Sequence, residues 1–276
     1  MKVAIVGLGL MGGSFALSVK KVFPTWEFLG YDHNKSHQKE AIKFGLVDKI
    51  AENFDEVKKC DVIVLAIPVD GIIKCLQDLK EIDKQTTIID LGSTKEEIVK
   101  QTPKEIRKNL VASHPMAGTE KNGPSAAFET LYHDKIVVLC DVEDSGKKQV
   151  EITKEIFKKI GMKIVYMDCV SHDLHASYIS HLPHAISYAL ANSILRQENP
   201  KNILTLAGGG FEGMVRIAKS SPVMWSDIFK QNKTNLLKTL DSFEDELKTM
   251  RKYIEEEKWD ELKRWMSEAN QLHNIL

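Results

Sequence analysis

A doubly wound α/β fold with a mostly parallel sheet, followed by an all-helical C-terminal domain, is predicted by three observations. Short β-branched apolar runs alternate with helical segments from the first residues to about position 167, the pattern of a sheet covered on both faces. A glycine-rich turn, "GLGLMGG" at 7–13, joins the first run to the first helix. From Ser171 onward the strand pattern vanishes and only helical periodicity remains. The expected division is residues 1–168 and residues 169–276.

The first run contains Val3, Ile5 and Val6, passes through Gly7, Gly9 and Gly12, and continues with Phe15, Leu17 and Val19 at helix-compatible spacing. This is G-x-G-x-x-G between a strand and a helix. The first glycine permits a tight turn, the second lets backbone approach a pyrophosphate, and the third lets helix and strand pack closely. The helix N-terminus then faces the anion with free N–H groups. A second strand, "WEFLGY" (26–31), ends in Asp32, about 20 residues beyond the last motif glycine, where an acid binds the ribose hydroxyls. The combination predicts a Rossmann-like cradle with Gly7, Gly9, Leu10, Met11, Gly12 and Asp32 on the cofactor. A carboxylate repels a 2′-phosphate, so NAD is expected ahead of NADP, with His33 and Lys35 nearby as the countervailing feature. The plainer alternative is a glycine turn without a ligand.

The pattern then alternates. It predicts a helix around 34–44, strand 61–68, helix 70–80, strand 86–92, helix 94–100, strands 109–113 and 135–140, helix 147–160 and strand 163–167. In such sheets ligands lie beyond the carboxyl ends of the strands. Those ends carry "GLGLMGG", "AIPV", "GSTK" and "SHPMAG", so four loops distant in sequence converge on one crevice. Ile67 and Pro68 are thereby expected beside the cofactor, and Ser93 and His114 at the reacting centre. Each has a plainer reading. Pro68 also ends a strand, and Ser93 with Glu96, or Thr94 with Glu97, satisfies a capping box. An imidazole titrates near neutrality, which favours catalysis over structure for His114 beside a cofactor.

"SHDLHASYISHLPHAISYALANSIL" (171–195) reads as a helix opened by Ser171 as N-cap and kinked at Pro183, whose ring removes the bond to the Ile179 carbonyl. His181, His184 and Tyr188 stand at i, i+3 and i+7 and share a face, which suggests a wall of the active site. The alternatives are satisfied core histidines, or a metal site with no carboxylate or cysteine to complete it. In "LAGGGFEGMVRIAKSSPVMW" (206–225) the glycines, Gly209 and Gly210 among them, allow a loop to pass close to a ligand. Arg216 is either a surface charge or the planar fork that receives a carboxylate. Further on, Leu236, Leu240, Phe243, Leu247, Met250 and Ile254 alternate spacings of four and three, and Leu262, Trp265, Met266, Ala269 and Leu272 follow on a second helix. That narrow seam suits helix-to-helix packing, either within one chain or, as expected here, between two copies in a homodimer.

Composition narrows the partners. With 276 residues, 43% apolar and 28% charged, and a formal net charge of −1, the chain has no electrostatic footprint for nucleic acid or an anionic membrane. "EDELKTMRKYIEEEK" (244–258) mixes both signs and reads as a solvated helix face. Cys60, Cys75, Cys140 and Cys169 stand far apart and no metal site is expected. No basic leader and no apolar stretch of membrane-spanning length is visible, and the expected compartment is the cytoplasm.

The motifs "GLGLMGGS", "LAIPV", "DLGSTK", "SHPMAGTEKNG", "SHLPHAISYAL" and "GGGFEGMVRIAKSSPVMW" resemble those of the prephenate and arogenate dehydrogenases of tyrosine biosynthesis over nearly the whole chain. The resemblance implies NAD(P)-dependent oxidative decarboxylation of a cyclohexadienol and a dimer formed through the helical domain. It implies His114 as the catalytic histidine, Ser93 beside it, His184 as a second active-site histidine and Arg216 as the grip on a substrate carboxylate. It further places Thr119 and Glu120 at the border of the pocket. The chain departs from the family at Glu212 and Gly213, where members often carry a basic residue and an aspartate, so prephenate and arogenate both stay open. Another short NAD(P) dehydrogenase and a non-catalytic dinucleotide sensor are the remaining alternatives.

Overall fold

A computed structural model describes residues 1–275. Its strands are β1 Lys2–Val6, β2 Glu27–Tyr31, β3 Lys49–Ile50, β4 Val62–Leu65, β5 Thr87–Asp90, β6 Leu110–Pro115, β7 Ile136–Cys140 and β8 Lys163–Met167. They form one sheet in the order β3-β2-β1-β4-β5-β6-β7-β8. The helices between them are α1 Leu10–Val22, α2 Lys35–Lys43, α3 Phe54–Lys58, α4 Val69–Asp78, α5 Glu96–Gln101 and α6 Lys147–Lys159. Every neighbouring pair is parallel except β6 with β7. The chain between β6 and β7 contains only a short 3₁₀ turn at Pro124–Ala126, not the crossover helix that a parallel return needs. The doubly wound, mostly parallel fold is thus observed. Neither β3 nor α3 was visible in the pattern, because two residues cannot show an alternation and five cannot show a helical stripe.

Successive strand residues point to opposite faces, and both faces are buried. Val3, Ile5, Val62 and Val64 pack on one side with Phe15, Phe157 and Tyr132. Ala4, Val6, Ile63 and Leu65 pack on the other with Ile72, Leu76 and Ile98. Phe15 holds the first core together, its ring set edge-on to Tyr132 at 6.0 Å and to Phe157 at 6.0 Å. This layering fixes the strand ends relative to one another.

The second half contains α7 Cys169–Ala176, a π turn at Ser177–His181, α8 Leu182–Leu195, α9 Pro200–Leu204, α10 Gly209–Val215, α11 Pro222–Gln231, α12 Lys233–Glu255 and α13 Trp259–Ala269. Two expectations need correction. The N-cap is Asp168, not Ser171, and its carboxylate accepts the Ser171 N–H at 2.8 Å. The single kinked helix is replaced by two helices joined through the π turn, which shifts the backbone bonding just ahead of Pro183.

The capping boxes expected at Ser93 and Thr94 are not formed. Helix α5 begins at Glu96 with Lys95 at its N-cap and has no side-chain cap of its own. The cap comes from the other half of the chain, where the Asp173 carboxylate accepts Lys95 N–H at 2.8 Å and Glu96 N–H at 3.0 Å. A second clasp works in the same way at α4. Asp227 accepts the Val69 N–H at 3.0 Å, and Asp70 pairs with Lys230 at 2.7 Å and accepts a bond from Gln231. A carboxylate at a helix N-terminus satisfies orphan donors and complements the dipole.

The expected seam is covered only at its start within one chain. Leu236 is 7% exposed, whereas Leu247, Ile254 and Met266 are 44%, 45% and 49% exposed. Trp265 Nε1 donates to Glu246 at 2.8 Å and ties α13 to α12.

Replacing Asp227 by alanine is expected to lower stability by about 1 kcal/mol, the usual effect of losing a cap. Hydrogen exchange at the Val69 amide should accelerate in the same variant, as measured by mass spectrometry or NMR.

Candidate active site

The glycine turn meets its predicted requirements for steric reasons. Gly7 has φ of +94°, and a Cβ there would lie 2.3 Å from the Ala66 carbonyl oxygen. A Cβ on Gly12 would lie 2.0 Å from the Gly7 carbonyl oxygen. Gly9, the N-cap of α1, is different: a Cβ there would meet no protein atom within 4 Å. Gly7 and Gly12 pack β1, α1 and the loop after β4 together, and Gly9 leaves space outside the protein for a ligand. Helix α1 has neither a side-chain cap nor an acid in its first turn, so its N–H groups remain available to an anion. Leu10 is buried, Met11 half-buried, Ile67 half-buried and Pro68 exposed beside this turn.

Asp32 ends β2 and secures the turn from the side. Its carboxylate accepts Leu8 N–H at 2.9 Å and Asn34 N–H at 2.8 Å, and His37 Nδ1 lies 3.3 Å away. A carboxylate has acceptor capacity beyond these bonds, which suits the hydroxyls of a ribose. The cradle fits a dinucleotide.

β5 and β6 are neighbours with Asp90 opposite Ala112, so Ser93 follows the end of β5 and His114 lies near the end of β6 on the same edge of the sheet. Ser93 is half-buried. Beneath them lies a sealed cluster: Lys95, 0% exposed, bonds Asp90 and donates to the Ser113 carbonyl at 2.8 Å, while Asp90 also accepts Ser113 N–H at 3.1 Å. This cluster anchors the end of β6 on which His114 stands.

His114 Nδ1 lies 2.8 Å from His172 Nε2, and His172 Nδ1 lies 2.7 Å from Asp173 Oδ1. Burial, the His172 ring, the Lys95 charge and His181 hold the His114 imidazole well below the ordinary histidine pKa. The ring is therefore neutral at physiological pH. His172 and Asp173 were not anticipated from the sequence. Their only local signal was a His-Asp pair at the start of a helix, which helical periodicity absorbed.

α8 and α11 carry a second group of rings, with His181 between them and His114. His184 Nδ1 donates to the Ser180 carbonyl at 2.9 Å, and its ring stacks on Trp225 with centroids 3.5 Å apart. Burial lowers its pKa, opposed by the bond to Ser180, and the Arg216 charge adds to the lowering, so Arg216 acts electrostatically on His184. Trp225 is 6% exposed with its Nε1 unpaired.

His181 does not share this role. It is 1% exposed, lies 3.1 Å from Asn232 Nδ2 through Nδ1 and meets Trp225 edge-on, so the substrate contact expected for it is corrected to one of packing. Tyr188 donates to the Ser220 carbonyl at 2.8 Å and tethers the segment that follows Arg216. Arg216, Gly209 and Gly210 are exposed in the single chain, and the glycines open α10 instead of a free loop. Thr119 and Glu120 lie exposed in the loop after β6, where Thr119 accepts Lys121 N–H at 3.2 Å.

Sequence and fold are shared with known proteins. Residues 15–166 match the family model "prephenate dehydrogenase, nucleotide-binding domain", and residues 168–268 match "prephenate dehydrogenase, dimerization domain". A prephenate dehydrogenase of Bacillus subtilis is 34% identical over 97% of this chain and 74% of its own length. A cyclohexadienyl dehydrogenase of Zymomonas mobilis is 32% identical over 94% and 90%. The crystal structure of prephenate dehydrogenase from Aquifex aeolicus with hydroxyphenyl propionate and NAD+ superimposes with a TM-score of 0.93 at 32% identity, covering 100% of this chain and 98% of that one.

The burial of His181 makes stability depend on pH. Burial depresses its pKa from 6.5 to about 4, so below pH 6.5 the unfolded chain binds a proton that the folded chain refuses. Its contribution is intact above pH 6.5 and is lost as the pH falls towards 4. Melting temperature should drop through that window, and the drop should be shallower for His181→Gln.

Proposed function

This chain belongs to the prephenate dehydrogenase family, and from that premise we propose that it is an NAD-dependent prephenate dehydrogenase, converting prephenate to 4-hydroxyphenylpyruvate in tyrosine biosynthesis. The observation that carries this reading is a neutral, half-buried His114 at the carboxyl end of β6, beside Ser93 and on the same edge of the sheet as the dinucleotide cradle. Oxidation at C4 of the cyclohexadienol requires a base on the hydroxyl while hydride leaves the same carbon. Bound NAD+ is the hydride acceptor.

His114 takes the hydroxyl proton. Loss of CO₂ then returns its bonding pair to the ring, which becomes aromatic, so the substrate itself drives this part of the reaction. The protein contributes orientation. Gly7, Gly9, Leu10, Met11, Gly12, Ile67 and Pro68 hold the dinucleotide, and Asp32 selects NAD over NADP by repelling a 2′-phosphate. Arg216 pairs with a substrate carboxylate, His184 lines the ring on its Trp225 support, and Ser93 bonds the reacting hydroxyl or His114. Thr119, Glu120, Gly209 and Gly210 border the entrance.

Residues 1–168 bind the cofactor, and residues 169–276 bind substrate and pair two copies. The second role is supported by the dimerization-domain match and by Leu247, Ile254 and Met266, whose apolar surfaces are uncovered in one chain. No helix among the described residues is long and apolar enough to cross a membrane, which is compatible with a cytoplasmic enzyme. Arogenate is the second substrate reading. It is favoured by Glu212 in the first turn of α10, a carboxylate suited to an ammonium group close to Arg216 in sequence.

The test is to mix protein, NAD and prephenate, or arogenate in its place, and follow NADH absorbance together with CO₂ release. Turnover of neither substrate rejects the reading. His114→Asn is expected to cut kcat by about 10²–10⁴ with little change in KM. Arg216→Ala should raise KM for the cyclohexadienol by roughly 10- to 150-fold, the equivalent of losing a charge-assisted bond, and leave KM for NAD nearly unchanged.

A further inference from the structure

His172 and Asp173 are 3% and 2% exposed, every side-chain polar atom they own is hydrogen-bonded, and one line of these bonds runs from Asp173 through His172 to His114. The direction of each bond follows from proton counting. An ionised carboxylate only accepts. Asp173 already accepts Lys95 N–H and Glu96 N–H, so the proton shared with His172 sits on His172 Nδ1. With its proton at Nδ1, the His172 imidazole presents its lone pair at Nε2. The 2.8 Å bond to His114 must be donated by His114 Nδ1–H, which leaves His114 Nε2 without a proton.

We propose that His172 and Asp173 are positioning residues that hold His114 in its Nδ1–H tautomer, so that Nε2 is the nitrogen that receives the substrate proton. The proposal rests on the reading of His114 as the base. When Nε2 takes the hydroxyl proton, the new imidazolium keeps its Nδ1–H donated to His172, and the Asp173 carboxylate beyond that ring offsets its charge. The counterweight matters because the Lys95 ammonium beneath β6 opposes a second positive charge.

A purely structural role predicts something different. Capping α5 requires only the carboxylate of Asp173, so a histidine inserted between that carboxylate and His114 is superfluous to the cap. Asn232 supports the arrangement from α12's N-terminal side, donating to the Asp173 carbonyl at 2.6 Å and lying 3.1 Å from His181. The ring that orients His114 is thus itself oriented.

The experiment uses the ¹⁵N-labelled full chain and long-range proton–nitrogen correlation of its histidine rings at mildly alkaline pH. His114 is assigned by the signals missing in His114→Gln. The expected spectrum shows a pyrrole-type Nδ1 and a pyridine-type Nε2 for His114. In His172→Leu that pattern should be lost and kcat should fall by about 10²–10³, with KM for both ligands within a few-fold. In His172→Gln, whose side chain accepts and donates in the same sense, most of the turnover should return.

A protonated Nε2 in the wild-type enzyme overturns the proposal, as does equal turnover in wild type and His172→Leu. Absence of prephenate turnover in the wild type would sink the functional reading alone, because the spectrum still reports the tautomer.

Discussion

The Asp173 carboxylate is the point on which the two halves of the molecule converge. It stands in for a cap that α5 lacks, receiving two backbone N–H groups from Lys95 and Glu96, and it receives the ring of its own neighbour His172. A buried carboxylate is costly unless its hydrogen-bonding capacity is filled. Here it is filled by one helix terminus of the cofactor half and one histidine of the helical half. Neither half can move away without stranding a charge in a dry interior. The rotation between the halves, and with it the approach of α8 and α11 to the crevice, is set by a requirement of electrostatics.

Around that hub the same device recurs at different depth. Asp32 secures the glycine turn through Leu8 and Asn34, and Asp227 secures α4 through Val69. Each time a carboxylate faces backbone donors at the start of a helix or turn. The contrast is α1, whose N-terminus has no such partner. Its free N–H groups suit the charge of a pyrophosphate.

Much of this was legible in the residues. Gly7, Gly12 and Asp32 carry their meaning locally, since a turn, a close approach and a strand end are properties of short segments. The strand–helix alternation predicted the sheet because both of its faces are buried. His114 was singled out by its position after an apolar run, and Arg216 by its chemistry. What escaped depends on distant parts of the chain. The cap of α5 lies 78 positions away at Asp173, so nothing near "STKEE" could disclose it, and the local capping-box pattern misled. His181 shared a helical face with His184 on paper, but the π turn and Asn232 place it in the interior. Lys95 carries no local signal of its place, sealed against Asp90 beneath β6.

The separations across these contacts have a kinetic meaning. Lys95 meets Asp173 over 78 positions and Val69 meets Asp227 over 158, whereas the cradle around Gly7 and Asp32 closes over 24. Ordering a long segment delays the contacts at its ends, and non-local pairings slow the search for the native state. The turn that joins Leu8 to Asp32 can therefore close early, and the clasp of α4 by Asp227 is among the last contacts to form as the chain matures.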